Sequence, residues 1–422
     1  MNSNPLWDDE QPTRVIILGA GPIGLEAALY ARFLGYEVTV YDRGEVAQNV
    51  LDWGHVRMFT PFSMNSSSLG LAALKGQDAD YQPPDPDSIL TGSEWVEQYL
   101  RPLAETDLVQ PSLRTCITVS HAGRSHVSKT TSLGADRHGN RFVVLCRDAK
   151  GRAFYDECHI LIDATGVSRH SCLLGDGGIP APGELDNRRR IAYYIPDILG
   201  NDRATYAARR VLVVGSGYSA ATSIAALAQL ANDQPTTQVI WVTRSSDPSG
   251  PLRRIPHDRL PQRDQLAMRA NQLAADANGP IRHVPQAIVR SLQQDDDERL
   301  VVELDRDGVV ESLEIDEVIA NVGYRPDISL FRELQVHLCY ASEGPMQLAT
   351  LLQENASSDC LDAAGDQSVD ALVTTEPDFY LLGAKSYGRN SQFLFAHGLQ
   401  QIRDLFARLG ERSELDLYKN FR

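Results

Sequence analysis

Glycines at positions 19, 21 and 24 stand at a spacing that lets a backbone close around a phosphate. They sit in Gly19-Ala20-Gly21-Pro22-Ile23-Gly24, directly after the apolar run Val15-Ile16-Ile17-Leu18 and before a helix-like stretch ending near Gly35. In such a turn the first glycine permits the tight strand-to-helix reversal. The second lets the backbone approach a pyrophosphate, and the third lets the helix pack closely on the strand. A second apolar run, Glu37 to Tyr41, ends at Asp42, about 20 residues on, where a carboxylate can take ribose hydroxyls. Arg43, beside it, is placed with it as a cofactor contact.

The same device recurs near residue 215. Val211-Leu212-Val213-Val214 leads into Gly215-Ser216-Gly217-Tyr218-Ser219-Ala220, with Ala220 in the third glycine's place, which the pattern permits. Tyr218 and Ser219 open the following helix. At the end of the next strand, Val239 to Thr243, the acid is missing and Arg244 stands there instead. A carboxylate would repel a 2′-phosphate, whereas a guanidinium can grip it through two parallel hydrogen bonds. The competing reading of Arg244 is a solvated arginine at a strand end. Two such turns in one chain imply two nucleotides held at once, which suits electron transfer between them.

The elements that must position these turns repeat in order. Each half reads strand, glycine turn, helix, hairpin, strand, glycine. In the first half the hairpin runs over Arg141 to Cys146 and Ala153 to Tyr155, and the closing strand Cys158 to Asp163 meets Ala164-Thr165-Gly166. In the second, Leu300 to Leu304 and Val309 to Leu313 precede Glu317 to Gly323. Glu94 to Leu100 reads as a helix with a serine or threonine cap. Asp378 to Gly383 is a further strand, Ala384 to Ser391 a loop, and Phe393 to Leu409 a helix. In that helix Phe395, Leu399, Ile402, Leu405, Phe406 and Leu409 recur at spacings of three and four. The fold class is α/β: two Rossmann-like dinucleotide-binding domains of three-layer ββα architecture. Residues 1–170 form the first part of one domain, 205–327 the inserted second domain, and 328–422 the return to the first, with 341–376 as a surface excursion.

A formal net charge of −16 over 422 residues argues against a nucleic-acid partner and against an anionic membrane surface. Met1 to Thr13 lacks the apolar core of a secretory signal, and no apolar stretch approaches a membrane span. The expectation is a cytoplasmic protein. Six scattered cysteines form neither a CxxC nor a metal-like grouping with histidine, so no metal is expected.

Taken in this order, the two glycine turns, Asp42, Asp163-Ala164-Thr165-Gly166, Gly323-Tyr324-Arg325-Pro326-Asp327 and Phe379 to Gly383 resemble the flavoproteins with two dinucleotide-binding domains. These are FAD- and NAD(P)H-dependent oxidoreductases, and the resemblance is to their flavin-containing monooxygenase-like branch. It implies FAD on the first domain, held by Gly19, Gly21, Pro22, Ile23, Gly24, Asp42, Arg43, Thr165, Gly166 and Gly383. It implies NADPH on the second, held by Gly215, Gly217, Tyr218, Ser219, Ala220 and Arg244. The helix after Gly383 would then point its positive end at the flavin ring. The partners implied are a small-molecule substrate and molecular oxygen. Two features depart from the family: Ile191 to Pro196 lacks the FxGxxxH fingerprint of the monooxygenases, and Gly383-Ala384-Lys385 stands where disulfide-reductase relatives carry Gly-Asp.

The fate of the electrons is read from what remains. Disulfide reductases need a thiolate beside the flavin. Asp42 to Leu51 and Arg210 to Asn321 contain no cysteine. The Trp53 to Asn65 loop supplies Asn65, which could hold an oxygen intermediate or substrate, and the cation Arg57. Asn65 reads equally as a core residue, and Arg57 as a phosphate or surface contact. Beside oxygen activation stand two alternatives, an NAD(P)H:acceptor reductase of quinone type and a flavin redox sensor without turnover.

Overall fold

Alternate residues of one strand serve two different layers, and this decides the architecture. The computed structural model describes residues 12–131, 137–245, 247, 249–297, 299–354, 360–361 and 369–421. The chain divides into two compact units, Met1–His170 with Arg325–Arg422, and Ser171–Tyr324.

The first unit carries β1 (Arg14–Leu18), β2 (Glu37–Tyr41), β3 (Leu113–Arg114), β4 (Thr118–Arg124), β5 (Phe142–Arg147), β6 (Ala153–Cys158), β7 (Ile160–Asp163) and β16 (Phe379–Leu381). A parallel sheet has the order β16-β7-β1-β2-β3, and β4-β5-β6 form an antiparallel sheet. Side chains alternate across a strand with period two. Val15 and Ile17 therefore join one core, with helix α1 (Pro22–Phe33) and the aromatic residues Tyr99 and Phe406. Ile16 and Leu18 join another, with Phe142, Val144 and Cys146 of β5. A near-continuous apolar run is what a strand covered on both faces requires.

The second unit repeats the plan. It contains β8 (Ile191–Ala192), β9 (Arg210–Val214), β10 (Gln238–Thr243), β11 (Ile281–Pro285), β12 (Ile288–Gln294), β13 (Leu300–Arg306), β14 (Val309–Ile315) and β15 (Glu317–Ala320). The parallel order is β11-β10-β9-β15-β8, and β12-β13-β14 are antiparallel. Val211 and Val213 pack on the helix side, against Ile224 and Leu227. Leu212 and Val214 pack on the sheet side, against Leu292 and Val302. Both units are thus three-layered, helix on parallel sheet on antiparallel sheet.

The longer helices are α1, α2 (Ser68–Gln77), α3 (Tyr218–Asp233), α4 (Pro261–Ala275), α5 (Met346–Glu354) and α6 (Phe395–Leu409). None is long and apolar enough to cross a membrane among the described residues. The segment read as Glu94 to Leu100 starts earlier and runs further. Thr91 and Glu94 close a capping box, a π turn spans Val96–Leu100, and helix continues through Arg101–Ala104. Pro102 has no N–H for the Gln98 carbonyl. The Tyr81 hydroxyl donates to that carbonyl instead, at 2.7 Å.

One element goes unanticipated in the sequence and two expectations need correction. Helix α4 escapes the apolar-period test because its buried face is Ala267, Ala270 and Arg263, the last paired with Asp258 at 2.6 Å. The stretch after Gly383 opens as a 3₁₀ turn, Gly383–Tyr387, and the long helix begins only at Phe395. The 341–376 stretch is not a surface excursion where it is described. Leu348 and Ala371 are buried with Tyr387, and Glu376 is buried between Arg124 and Arg137. Residues 355–359 and 362–368 of that stretch lie outside the described residues, as do Met1 to Gln11.

Candidate functional site

The candidate site of the first unit lies along the C-terminal ends of β1, β2, β7 and β16, the edge where open parallel sheets bind ligands. The three glycines do three separable things there. Gly19 has φ +102°, and a Cβ on it would stand 2.7 Å from the Ala164 carbonyl oxygen. A Cβ on Gly24 would stand 1.9 Å from the Gly19 oxygen, so only glycine lets α1 start this close to β1. At Gly21 the nearest atom to an added Cβ is Asn49 Oδ1 at 3.5 Å, so the protein itself leaves this position open. Helix α1 begins there with Pro22 in its first turn and no side-chain cap. An uncapped helix start facing open space is what a phosphate needs, so these residues fit a dinucleotide pyrophosphate.

Asp42 is held at the same edge. Its Oδ2 accepts from Ala20 N–H at 2.7 Å and its Oδ1 from Gly44 N–H at 2.8 Å. Each oxygen keeps a lone pair for a ribose hydroxyl. Burial, and then the neighbouring Arg169 guanidinium, lower the pKa of Arg43, while Asp42 and Asp327 act against them. Arg169 itself bonds Asp52 at 3.2 Å.

Thr165 and Gly383 come together through a residue that sequence reasoning noted only as a departure. Lys385 is 1 % exposed. Its Nζ donates to Asp163 Oδ2 at 2.6 Å and to Thr165 Oγ1 at 2.9 Å. Thr165 in turn donates to Asp163 Oδ1 through Oγ1 at 2.7 Å and through N–H at 3.1 Å. Gly383 has φ +72°, and its N–H donates to Gln401 Oε1 at 2.9 Å. Gln401 Nε2 donates to Ser386 Oγ, which donates back to the Gly383 carbonyl, so α6 closes a ring on this turn. Gly166, at φ +69°, carries the chain away from the edge. A lysine amid the otherwise apolar and small residues of Leu381 to Tyr387 was the one signal in the sequence.

Asn65 and Arg57 are not at this edge's hydrogen-bond network. Asn65 is buried, and its Nδ2 donates to the Thr60 and Pro61 carbonyls and to Thr60 Oγ1 at 2.8–3.0 Å. Its main-chain carbonyl accepts from Trp95 Nε1 at 2.8 Å. Both amide hydrogens are committed to its own turn, which makes Asn65 a scaffold and weighs against the role of holding an oxygen intermediate. Arg57 is exposed, donates to the Ile89 carbonyl, and has Glu94 at 3.8 Å. Nearby, a fully buried carboxyl went unnoticed in the sequence. Glu26 of α1 accepts from Tyr99 Oη at 2.5 Å and Ser67 Oγ at 2.8 Å, and burial pushes its pKa up to about 7.

The second unit presents a parallel arrangement at β9. Gly215 has φ +135°, and a Cβ there would meet the Asn321 oxygen at 2.2 Å. Gly217 has open space around it, and α3 starts from it without a side-chain cap. Tyr218 and Ser219 form the half-buried first turn, and Ala220 is fully buried, its methyl taken up by the core. Asn321, also missed, ties β15 to α3 by accepting from Ser223 Oγ at 2.8 Å. Arg244 is exposed at the end of β10 with no ion-pair partner among the described residues. Cys172 is the unit's one cysteine, and none of the six forms a disulfide. Burial raises the thiol of Cys158 strongly and pushes that of Cys146 up to about 11. The exposed thiol of Cys116 is raised by its Glu45 hydrogen bond. Among the described residues no group of His, Cys, Asp and Glu could hold a metal ion.

A model of the family described as pyridine nucleotide-disulphide oxidoreductase matches residues 14–53. No curated protein matches the chain. Solved structures do. The bacillithiol disulfide reductase Bdr (YpdA) from Bacillus cereus is 16% identical with a TM-score of 0.67, over 95% of this chain and 100% of that one. The FAD-bound cadaverine monooxygenase DfoA of the desferrioxamine biosynthetic pathway from Erwinia amylovora is 13% identical with a TM-score of 0.63, over 96% and 95%. The ornithine hydroxylase PvdA from Pseudomonas aeruginosa is 14% identical with a TM-score of 0.62, over 96% and 100%. Residues 14–53 thus match the pyridine nucleotide-disulphide oxidoreductases, and over 95–96% of its length the chain is similar in fold to two-domain FAD- and NAD(P)-dependent oxidoreductases.

Proposed function

We propose that the chain is an oxidoreductase holding FAD on the first unit and NADPH on the second, and that it uses molecular oxygen to hydroxylate a small-molecule substrate. The observation that carries the cofactor reading is the pair of uncapped helix starts at Gly21 and Gly217, each open at the second glycine and closed at the first. Bound together, the two cofactors supply hydride transfer to the flavin and electron transfer onward. The chain's own part is to bind and orient. Gly19, Gly21, Ile23 and Gly24 shape the phosphate cradle, Asp42 holds ribose hydroxyls, and Arg43 adds positive charge. Thr165, Gly166 and Gly383 line the neighbouring strand ends. Gly215, Gly217 and Ala220 repeat the cradle for NADPH, and Arg244 grips the 2′-phosphate.

The sparse thiols support oxygen over a disulfide as acceptor. A second reading, an NAD(P)H:acceptor reductase, draws support from Asn65, whose donors are spent on its own turn. The test begins with the purified protein, which should carry flavin absorbance. Gly21→Leu should fold, because an added Cβ meets only Asn49 Oδ1 at 3.5 Å, yet lose the flavin. Colourless protein that takes up no added FAD would overturn the cofactor assignment. Stopped-flow absorbance after mixing NADPH-reduced protein with oxygenated buffer then decides the acceptor. A transient spectrum distinct from both reduced and oxidised flavin, longest-lived with NADP⁺ present, is expected. Direct return to oxidised flavin with release of peroxide, together with fast quinone reduction, would establish the reductase instead.

A further inference from the structure

Asp163 carries a carboxylate at an awkward place. It ends β7 beside Leu18 of β1, one residue before the glycine turn. Its neighbour Ala164 donates its N–H to the Leu18 carbonyl at 2.9 Å and abuts Gly19. The Asp163 side chain is fully buried, so water screens it little. The same edge offers its open helix start to an anion. An unpaired carboxylate there would work against that anion.

We infer that Lys385 is a positioning residue for the dinucleotide: its ammonium neutralises Asp163 on the strand edge that carries the first glycine turn, so that this edge accepts an anionic cofactor. The inference rests on FAD as the ligand of the first unit. Three features of the geometry support it. The pair is close, at 2.6 Å, and both side chains are essentially inaccessible. The Lys385 ammonium also reaches Thr165 Oγ1, and it lies 5.4 Å from the face of the Phe331 ring, so it is held on several sides. Its carbon stem spans from the Gly383 turn to the end of β7, and the Leu382 N–H bonds the Asp163 carbonyl at 3.0 Å. The pair therefore sets the spacing of the two segments as well as their charge. The other ionisable groups that feel Lys385 are His170 and Asp327, which face one another at 3.3 Å.

The test is FAD binding to the full-length, flavin-stripped protein, followed by flavin fluorescence between about pH 5.5 and 8.5, a range in which a buried, unpaired carboxyl titrates. Without its lysine, Asp163 must either stay charged and repel the cofactor or take up a proton. Lys385→Met should therefore weaken FAD binding by about tenfold or more at the alkaline end, a factor that corresponds to about 1.4 kcal/mol of charge repulsion. Binding should recover as the pH falls and Asp163 is protonated. The double variant Lys385→Met/Asp163→Asn should restore the affinity and lose the extra pH dependence. Lys385 lowers the pKa of His170, so the deciding comparison is between Lys385→Met and the double variant, both of which lack the lysine. Weakening that is equal at every pH and not relieved by Asp163→Asn would reduce Lys385 to a packing role and overturn the inference. Should Lys385→Met fail to fold, Asp163→Asn alone decides. It leaves the cation and removes the anion, so FAD should bind at least as tightly as to wild type, and weaker binding overturns the inference. Failure of the wild-type protein to bind FAD would instead remove the function proposed above.

Discussion

Glu26 offers a prediction whose size follows from its surroundings. The carboxyl is fully buried on α1, two residues after Gly24, with Tyr99 Oη and Ser67 Oγ as partners. Burial raises its pKa from 4.5 to about 7, against the opposing effect of hydrogen bonds from Tyr99 and Ser67. The folded chain therefore binds this proton more tightly than the unfolded chain. Between those two values the native state holds more protons, so stability falls as pH rises from near 4.5 to near 7 and is level above that. At 1.36 kcal/mol per pKa unit the loss is roughly 3 kcal/mol. Glu26→Gln keeps the shape and supplies the donor that the protonated acid carries, but cannot ionise. Urea unfolding of both proteins at about pH 4.5 and about pH 8 isolates the effect, because every other titrating group is common to the two. The stability of Glu26→Gln relative to wild type should be more favourable by roughly 3 kcal/mol at the higher pH, near a 1 M change in relative urea midpoint for a slope of about 3 kcal/mol/M. An unchanged difference at the two pH values would refute the argument that Glu26 is desolvated.

Two further substitutions separate the sites from the scaffold. Arg244→Ala should raise the Michaelis constant for NADPH by about 10- to 150-fold, the range for losing a charge-assisted pair worth about 1.5–3 kcal/mol, and leave that for NADH nearly unchanged. Equal effects on both cofactors in steady-state kinetics would show that Arg244 does not read the phosphate. Glu376→Ala should lower the melting temperature of the first unit by about 10 °C. It leaves Arg124 and Arg137, whose side chains are inaccessible, without their shared carboxylate, a loss of about 3–5 kcal/mol. A fall within scatter of the wild type in calorimetry would show that Arg124 is held instead by its stacking on Phe142 at 3.6 Å and by the Pro377 carbonyl.

By itself the sequence determined what depends on neighbours along the chain. The glycine turns, the strands before them and the α/β layering were legible because turn sterics and the period of two are local. The unbroken apolar runs Val15 to Leu18 and Val211 to Val214 already state that each strand is covered on both faces. Helix α6 was legible from its apolar spacing, although it begins at Phe395, two residues later than the range read for it. Helix α4 was not legible, because alanines and a paired arginine make its buried face, and pairing is not a property of spacing. The candidate site divides in the same way. Gly19, Gly21, Gly24 and Asp42 announce themselves by interval. The commitment of Asn65 to its own turn depends on where Thr60 and Pro61 direct their carbonyls. The Lys385–Asp163 pair joins residues 222 positions apart, and Arg124 meets Glu376 from 252 positions away. Only the assembled sheet brings β7 beside β16, and only burial turns those charges from solvated surface groups into partners that must neutralise one another.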